Sequence, residues 1–316
     1  SSDLELPRQG WEPVKELPDH WNETWPGYSG GAWYKLIWDW NCQNNSRLTD
    51  PIAFSISYIN SAGALFLNGD LLWRDKNLQE PLSRSWNMPR FWIMPVSGLK
   101  KNDNEILIYV TGYSAMSAGI GKISFDNAIN ANTLNEQRIW NTRTLFQINL
   151  ILSATLGTFC FVIWLYRRSE TSFGWFALSS LLWIYFISNI LATETYVFSS
   201  SIVSSRINLI VFLLYILCFC TYLLRFIQVK KPRIERFFLI VTAIFILSIW
   251  TVSLAQMKML FNFIFLVYCC IYFATYLYLC WVAWRVRRSD YILLAICMTI
   301  IMLISIYDLR IAFLGP

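Results

Sequence analysis

The feature that most constrains this chain is a series of apolar stretches in its second half, each long enough to cross a lipid bilayer. A hydrocarbon core of ~30 Å needs roughly 20 helical residues. Stretches of that order lie at 145–166, 172–191, 207–227, 237–254, 259–284 and 291–306, separated by short polar breaks. A soluble helical bundle would show one polar face per heptad, whereas LIVTAIFILSIWTVSLA (239–255) shows none. Residues 141–316 therefore read as a multi-pass helical membrane domain with six spans.

Cation placement sets the expected orientation, because Lys and Arg in short loops stay on the cytoplasmic side. The breaks after the first, third and fifth spans hold Arg167 and Arg168, then Arg225, Lys230, Lys231, Arg233 and Arg236, then Arg285, Arg287 and Arg288. The opposite breaks hold only Arg143, Arg206, Lys258 and Arg310. The five cations of VKKPRIER and Arg225 are read first as this topology signal, with anionic headgroups as a further attraction. The first span is thus expected to run inward, which leaves residues 1–140 on the far side. The charge balance divides the chain at the same place: 12 Lys/Arg against 15 Asp/Glu up to Trp140, and 14 against 5 beyond it. SSDLELPRQGW has no basic and apolar leader, so a cleaved signal sequence is expected. Six spans would also leave DLRIAFLGP outside, so a seventh span and more chain are expected beyond Pro316.

The first half reads as β structure. Short alternating or apolar runs bounded by turn residues lie at 32–40, 52–59, 63–69, 90–96, 104–113 and 119–126. Asn68-Gly69-Asp70, between LFL and LLW, is a tight-hairpin signal because both central residues tolerate positive φ. This strand density suggests one sandwich of jelly-roll type. Cys42 alone cannot close a disulfide within it. Cys160, Cys218, Cys220, Cys269, Cys270, Cys280 and Cys297 fall in the spans, where they pack as small apolar side chains. His20 is the lone histidine and reads as a turn residue. Neither a Ser-His-Asp triad nor a Cys/His metal set can be assembled, so no catalytic residue, metal, cofactor or nucleic-acid partner is expected in residues 1–316.

The order LPDHW, GYSGGAWYK, ALFLNGDLL, MPVSGLKKNDNEILIYV is similar to the sugar-binding jelly-roll domain of family 2 glycoside hydrolases. The matching positions are Pro18 and Trp21, Gly30 or Gly31 with Trp33, Tyr34 and Lys35, then Asn68 and Gly69, with Asp103 where that family usually has glycine. No catalytic barrel follows, so no hydrolase is implied. Residues from about 144 onward resemble the bacterial seven-transmembrane receptors with diverse intracellular signalling modules, most specifically at IYDLRIAFLG (306–315). That resemblance implies an inner-membrane receptor with a periplasmic sensor domain. It also implies a homodimer and a cytoplasmic enzyme beyond residue 316, a diguanylate cyclase ahead of a histidine kinase.

Sugar recognition needs flat aromatic faces and planar polar groups. The stretch after Asn68-Gly69 supplies Trp73, Arg74, Asp75, Arg84, Trp86, Asn87 and Trp92, with Trp25 and Tyr28 as an opposite wall. The expected ligand is a periplasmic small molecule, a carbohydrate among the possibilities, or a periplasmic protein. The same loop could instead cover the sandwich, or dock Trp86 and Trp92 on the bilayer interface or the helix ends. Glu194, Arg206, Asp308 and Arg310 are ionisable residues near the ends of spans, expected to couple the sandwich to the membrane domain. A transporter or channel is the alternative, but no span contains Pro and only Gly157 and Gly174 interrupt the apolar pattern. A membrane-anchored carbohydrate-binding module that sends no signal is the other.

Overall fold

The computed structural model describes residues 7, 10–39, 51–195, 197–229 and 232–314, excepting the side chains of 96 and 304–314. Among the described residues ten strands precede the long helices: β1 Asp19–His20, β2 Ser29–Trp38, β3 Ile52–Ile56, β4 Ile59–Asn60, β5 Ala62–Leu67, β6 Asp70–Arg74, β7 Arg90–Ile93, β8 Asn104–Tyr113, β9 Gly119–Ile120 and β10 Ile123–Asn127. They form three antiparallel sheets in the orders β1-β9-β4, β10-β3-β7 and β2-β8-β5-β6. Trp40 and Cys42, at and beyond the end of the first expected strand, lie outside the described residues.

Alternation along the strands builds a β-sandwich core. Tyr34 of β2, Phe54 and Ile56 of β3, Leu65 and Leu67 of β5, and Ile106, Ile108 and Val110 of β8 are buried in one cluster. Trp33, one residue from Tyr34, points to the other face and meets Tyr109 and Phe66 at ring separations of 5.1 and 5.6 Å. The Pro-x-x-Trp segment is part of the core as well. Trp21 is fully buried, its indole N–H donates to Tyr34 Oη (2.8 Å), and Tyr34 Oη donates to Asp19 (2.6 Å). Thr24 Oγ1 donates to the other Asp19 oxygen. His20 sits in β1, stacked on Tyr58 with Nε2 3.3 Å from its hydroxyl, rather than in a turn.

The hairpin at Asn68-Gly69 joins β5 to β6 with both residues at positive φ, 50° and 96°. Asn68 also fixes the next layer: its amide donates to the Gly98 carbonyl (2.6 Å) and its carbonyl accepts from the Glu105 N–H (2.9 Å). Asp103, at the position usually glycine in the resembled family, has φ 55°, a left-handed conformation that Asp tolerates better than most residues. Strand β6 is the second arm of the hairpin expected at Asn68-Gly69, β4 begins at the end of the expected run 52–59, and the two-residue β1 is an addition, because a piece so short carries no readable alternation.

Eight helices are present among the described residues: α1 Trp21–Thr24, α2 Ala128–Ile139, α3 Leu145–Tyr166, α4 Thr171–Leu191, α5 Ser201–Phe226, α6 Pro232–Thr251, α7 Leu254–Val286 and α8 Ser289–Leu314. The π-turn Trp140–Thr144 joins α2 to α3 without a break, so the first long helix begins at Ala128, well before the expected 145. Asn127 caps it by accepting the Asn130 N–H at 2.8 Å. The segment AINANTLNEQRI was unreadable as a helix because only Ala131 is buried, which leaves no apolar stripe.

Among the described residues five helices are long and apolar enough to cross a membrane, in agreement with a multi-pass membrane protein. The expected sixth span falls on α8, whose part through Leu303 is a shorter apolar helix. Within the helical region, Arg225 pairs with Glu235 across the α5–α6 connection at 2.8 Å, while Lys230 and Lys231 lie outside the described residues. Thr242 of α6 and Tyr268 of α7 share a buried hydrogen bond of 2.6 Å.

The molecule divides into two compact units that do not follow the chain order. The first holds Ser1–Ile151 together with Ile187–Asn208 and Val252–Lys258, and the second holds Leu152–Phe186, Leu209–Thr251 and Met259–Pro316.

Candidate functional site

The first unit brings the loop 75–90 of the sandwich against the end of α4, the start of α5 and the segment between them. Asp75 shapes this loop from below. Its buried carboxylate accepts the Gly63 N–H (2.9 Å), the Ser85 hydroxyl (2.8 Å) and the Arg90 guanidinium (3.0 Å). Arg90 in turn lies 3.8 Å over the Trp73 ring, and Trp73 meets Trp92 at 5.5 Å. A buried carboxylate is tolerated only when its oxygens are filled in this way.

The upper side of the loop carries the polar groups that face the helix ends. Asn77 Nδ2 and Ser83 Oγ donate to the two oxygens of Glu194, at 2.9 and 2.7 Å. The Arg84 N–H donates to the Thr193 carbonyl (2.6 Å), and the Arg84 guanidinium reaches Asn189 and Ser204 Oγ. Glu80 accepts both the N–H and the hydroxyl of Ser201, at 2.9 and 3.0 Å, while Ser201 Oγ accepts from the Leu82 N–H. Ser201 is the first residue of α5, so Glu80 supplies from a distant part of the chain the carboxylate that the helix N-terminus favours.

Two contacts extend this junction. Lys258 of α7 donates to Ser117 Oγ at 2.8 Å, in the turn after β8. Arg143, inside the π-turn, donates to Asn87 Oδ1 (3.4 Å) and to the Leu191 carbonyl (3.0 Å). Tyr113 completes the Glu80 corner: burial, then the hydrogen bond to Glu80, pushes its hydroxyl up to about 12.

The expected ligand residues are distributed over several environments. Asp75 and Asn87 are buried and already bonded within the protein, and Arg84 is engaged with the helix ends. Trp73 and Trp92 pack against the sandwich core, Arg74 is exposed and Trp86 is half-exposed. Trp25 and Tyr28 belong to a different ring cluster, around Trp21, with ring separations of 5.4–5.9 Å. Of the expected coupling residues, Glu194 accepts its two bonds from the loop, and Arg206 donates to the Val252 carbonyl (2.9 Å) between α6 and α7. The side chains of Asp308 and Arg310 lie outside the described residues.

Sequence reading missed Asn77, Glu80, Ser83, Asn189, Ser201 and Ser204. The one usable signal was the cluster of short polar residues in SSSIVSS (199–205), which opens a helix that is mostly apolar beyond Asn208. Among the described residues no three His, Cys, Asp or Glu side chains gather as metal ligands. The arrangement suits mechanical coupling: an interface of directional bonds in which each carboxylate bridges two elements. No protein-family model and no curated protein matches the chain.

Proposed function

We propose that this protein is a transmembrane signalling receptor of the bacterial inner membrane. Its sandwich, a jelly roll in this reading, is the periplasmic sensor. Ligand or partner binding there alters the docking of loop 75–90 on the helix ends, and the helices carry the change to a cytoplasmic output enzyme beyond residue 316, a diguanylate cyclase ahead of a histidine kinase. The observation that supports this most is the two-sided Glu194 and Glu80 junction: one carboxylate comes from the helix side, the other from the loop. A simple tether between a binding module and an anchor needs no such set of directional contacts, which cost side-chain entropy to order.

Within this reading, the ligand is a small molecule such as a carbohydrate, met by the half-exposed Trp86, the exposed Arg74 and the Trp25/Tyr28 cluster. The functional unit is a homodimer. Ligand binding displaces the equilibrium between two docked arrangements only as far as its affinities for them differ.

The test is the cytoplasmic output of the full-length protein in cells. Arg84→Ala removes the guanidinium bonds to Asn189 and Ser204, and output is expected to move away from the wild-type level in either direction. Unchanged output in Arg84→Ala and Trp86→Ala would overturn the proposal, and solute flux in liposomes would replace it with a transporter.

A further inference from the structure

The second unit contains a groove between α3 and α4 of about 640 Å³, a volume in the range of a lipid or drug-sized ligand. Two glycines create it. At Gly157 the helices come so close that an added Cβ would lie 2.6 Å from Ser180 Cβ, and at Gly174 the absent Cβ admits the Trp164 indole, 2.9 Å away. Thr158, Phe161 and Trp175 are among the residues that line the space, which is mostly apolar. Both helices are apolar enough to cross a membrane, and in α3 only Gly157 is buried, so the groove faces what surrounds the helices.

The end of the groove at Trp164 and Thr171 is cationic. Arg167 and Arg168 form the α3–α4 connection, both exposed, with the Arg168 guanidinium 4.0 Å over the Trp164 ring. Neither pairs with a carboxylate among the described residues, and Glu170 in the same turn is bonded to Arg167 through its backbone N–H. An apolar slot leading to two unpaired guanidiniums matches an amphiphile with an anionic head, since Arg recognises phosphate oxygens through its planar fork and hydrocarbon chains fill the slot.

We propose that this groove is a binding site for one anionic phospholipid, with an acyl chain between α3 and α4 and the phosphate at Arg167 and Arg168. The Arg168–Trp164 stack holds one guanidinium at the mouth.

The test is native mass spectrometry of the full chain reconstituted with phosphatidylglycerol or with phosphatidylcholine. Phosphatidylglycerol adducts are expected to survive activation that strips phosphatidylcholine. Arg167→Gln with Arg168→Gln is expected to lower that preference roughly thirtyfold, and Thr158→Trp, which fills the slot, to lower retention of both lipids. Melting temperatures of the variants establish that they fold. Equal retention of the two lipids, retention unaffected by both sets of variants, or a dimer that forms in place of the lipid adduct and is lost in Thr158→Trp, would each overturn the proposal.

Discussion

At the scale of single residues, the decisive group is the buried carboxylate of Asp75. Asp75 holds three donors from three parts of the chain. Asp75→Ala strands the Arg90 charge and the Gly63 N–H together, so a loss of about 3–5 kcal/mol is expected in chemical denaturation followed by tryptophan fluorescence. Asp75→Asn should recover part of it by keeping an acceptor. Tyr34 and Tyr113 make a second prediction, in alkali. Burial first, then hydrogen bonds to Asp19 and Glu80, raises both hydroxyls above the ordinary value of 10. The folded state therefore favours the protonated phenols: their contribution is fully present below pH about 10 and is lost as pH rises through the folded values. For Tyr113 the loss falls between about 10 and about 12, and Tyr113→Phe should flatten that part of a stability-against-pH curve.

At the scale of elements, the β5–β6 hairpin and the start of α5 show how local chemistry sets tertiary contacts. Gly69 at φ 96° has no cheap replacement, and Gly69→Ala should cost roughly 1–2 kcal/mol in the same denaturation experiment. Glu80→Ala should weaken the α5 N-terminus by about 0.5–2 kcal/mol, read as faster amide exchange over residues 201–204. The hairpin was legible in the sequence because Asn-Gly between alternating apolar runs has few other uses. Strand β8 was legible to its full length, 104–113, because an apolar, β-branched and aromatic run lies between the turn residues before Asn104 and after Tyr113. Helix α2 was not, since a helix with one buried residue shows no stripe, and the cap on α5 was not, since Glu80 is 121 residues away. The ligand reading of the loop rested on residue types alone. Types could not reveal that Asp75 faces inward or that Arg84 faces the helix ends.

For the whole molecule, composition and apolar run length divided sheet from helix, and both parts are present, with five helices long enough to cross a membrane among the described residues. The compact units cut across that division, gathering the sandwich with segments 187–208 and 252–258. A sequence carries no mark of such a junction beyond scattered Ser, Asn and Glu, because each partner is polar for a reason visible only in space. The central claim is that loop 75–90 and the helix ends are energetically coupled through Glu194. The most direct measurement is a double-mutant cycle on the full chain in lipid nanodiscs, with Ser83→Ala, Glu194→Ala and both together, read by unfolding of the sandwich. The account predicts a coupling energy of about 0.5–3 kcal/mol, with the double variant less destabilised than the two single losses combined. Strictly additive losses would contradict it.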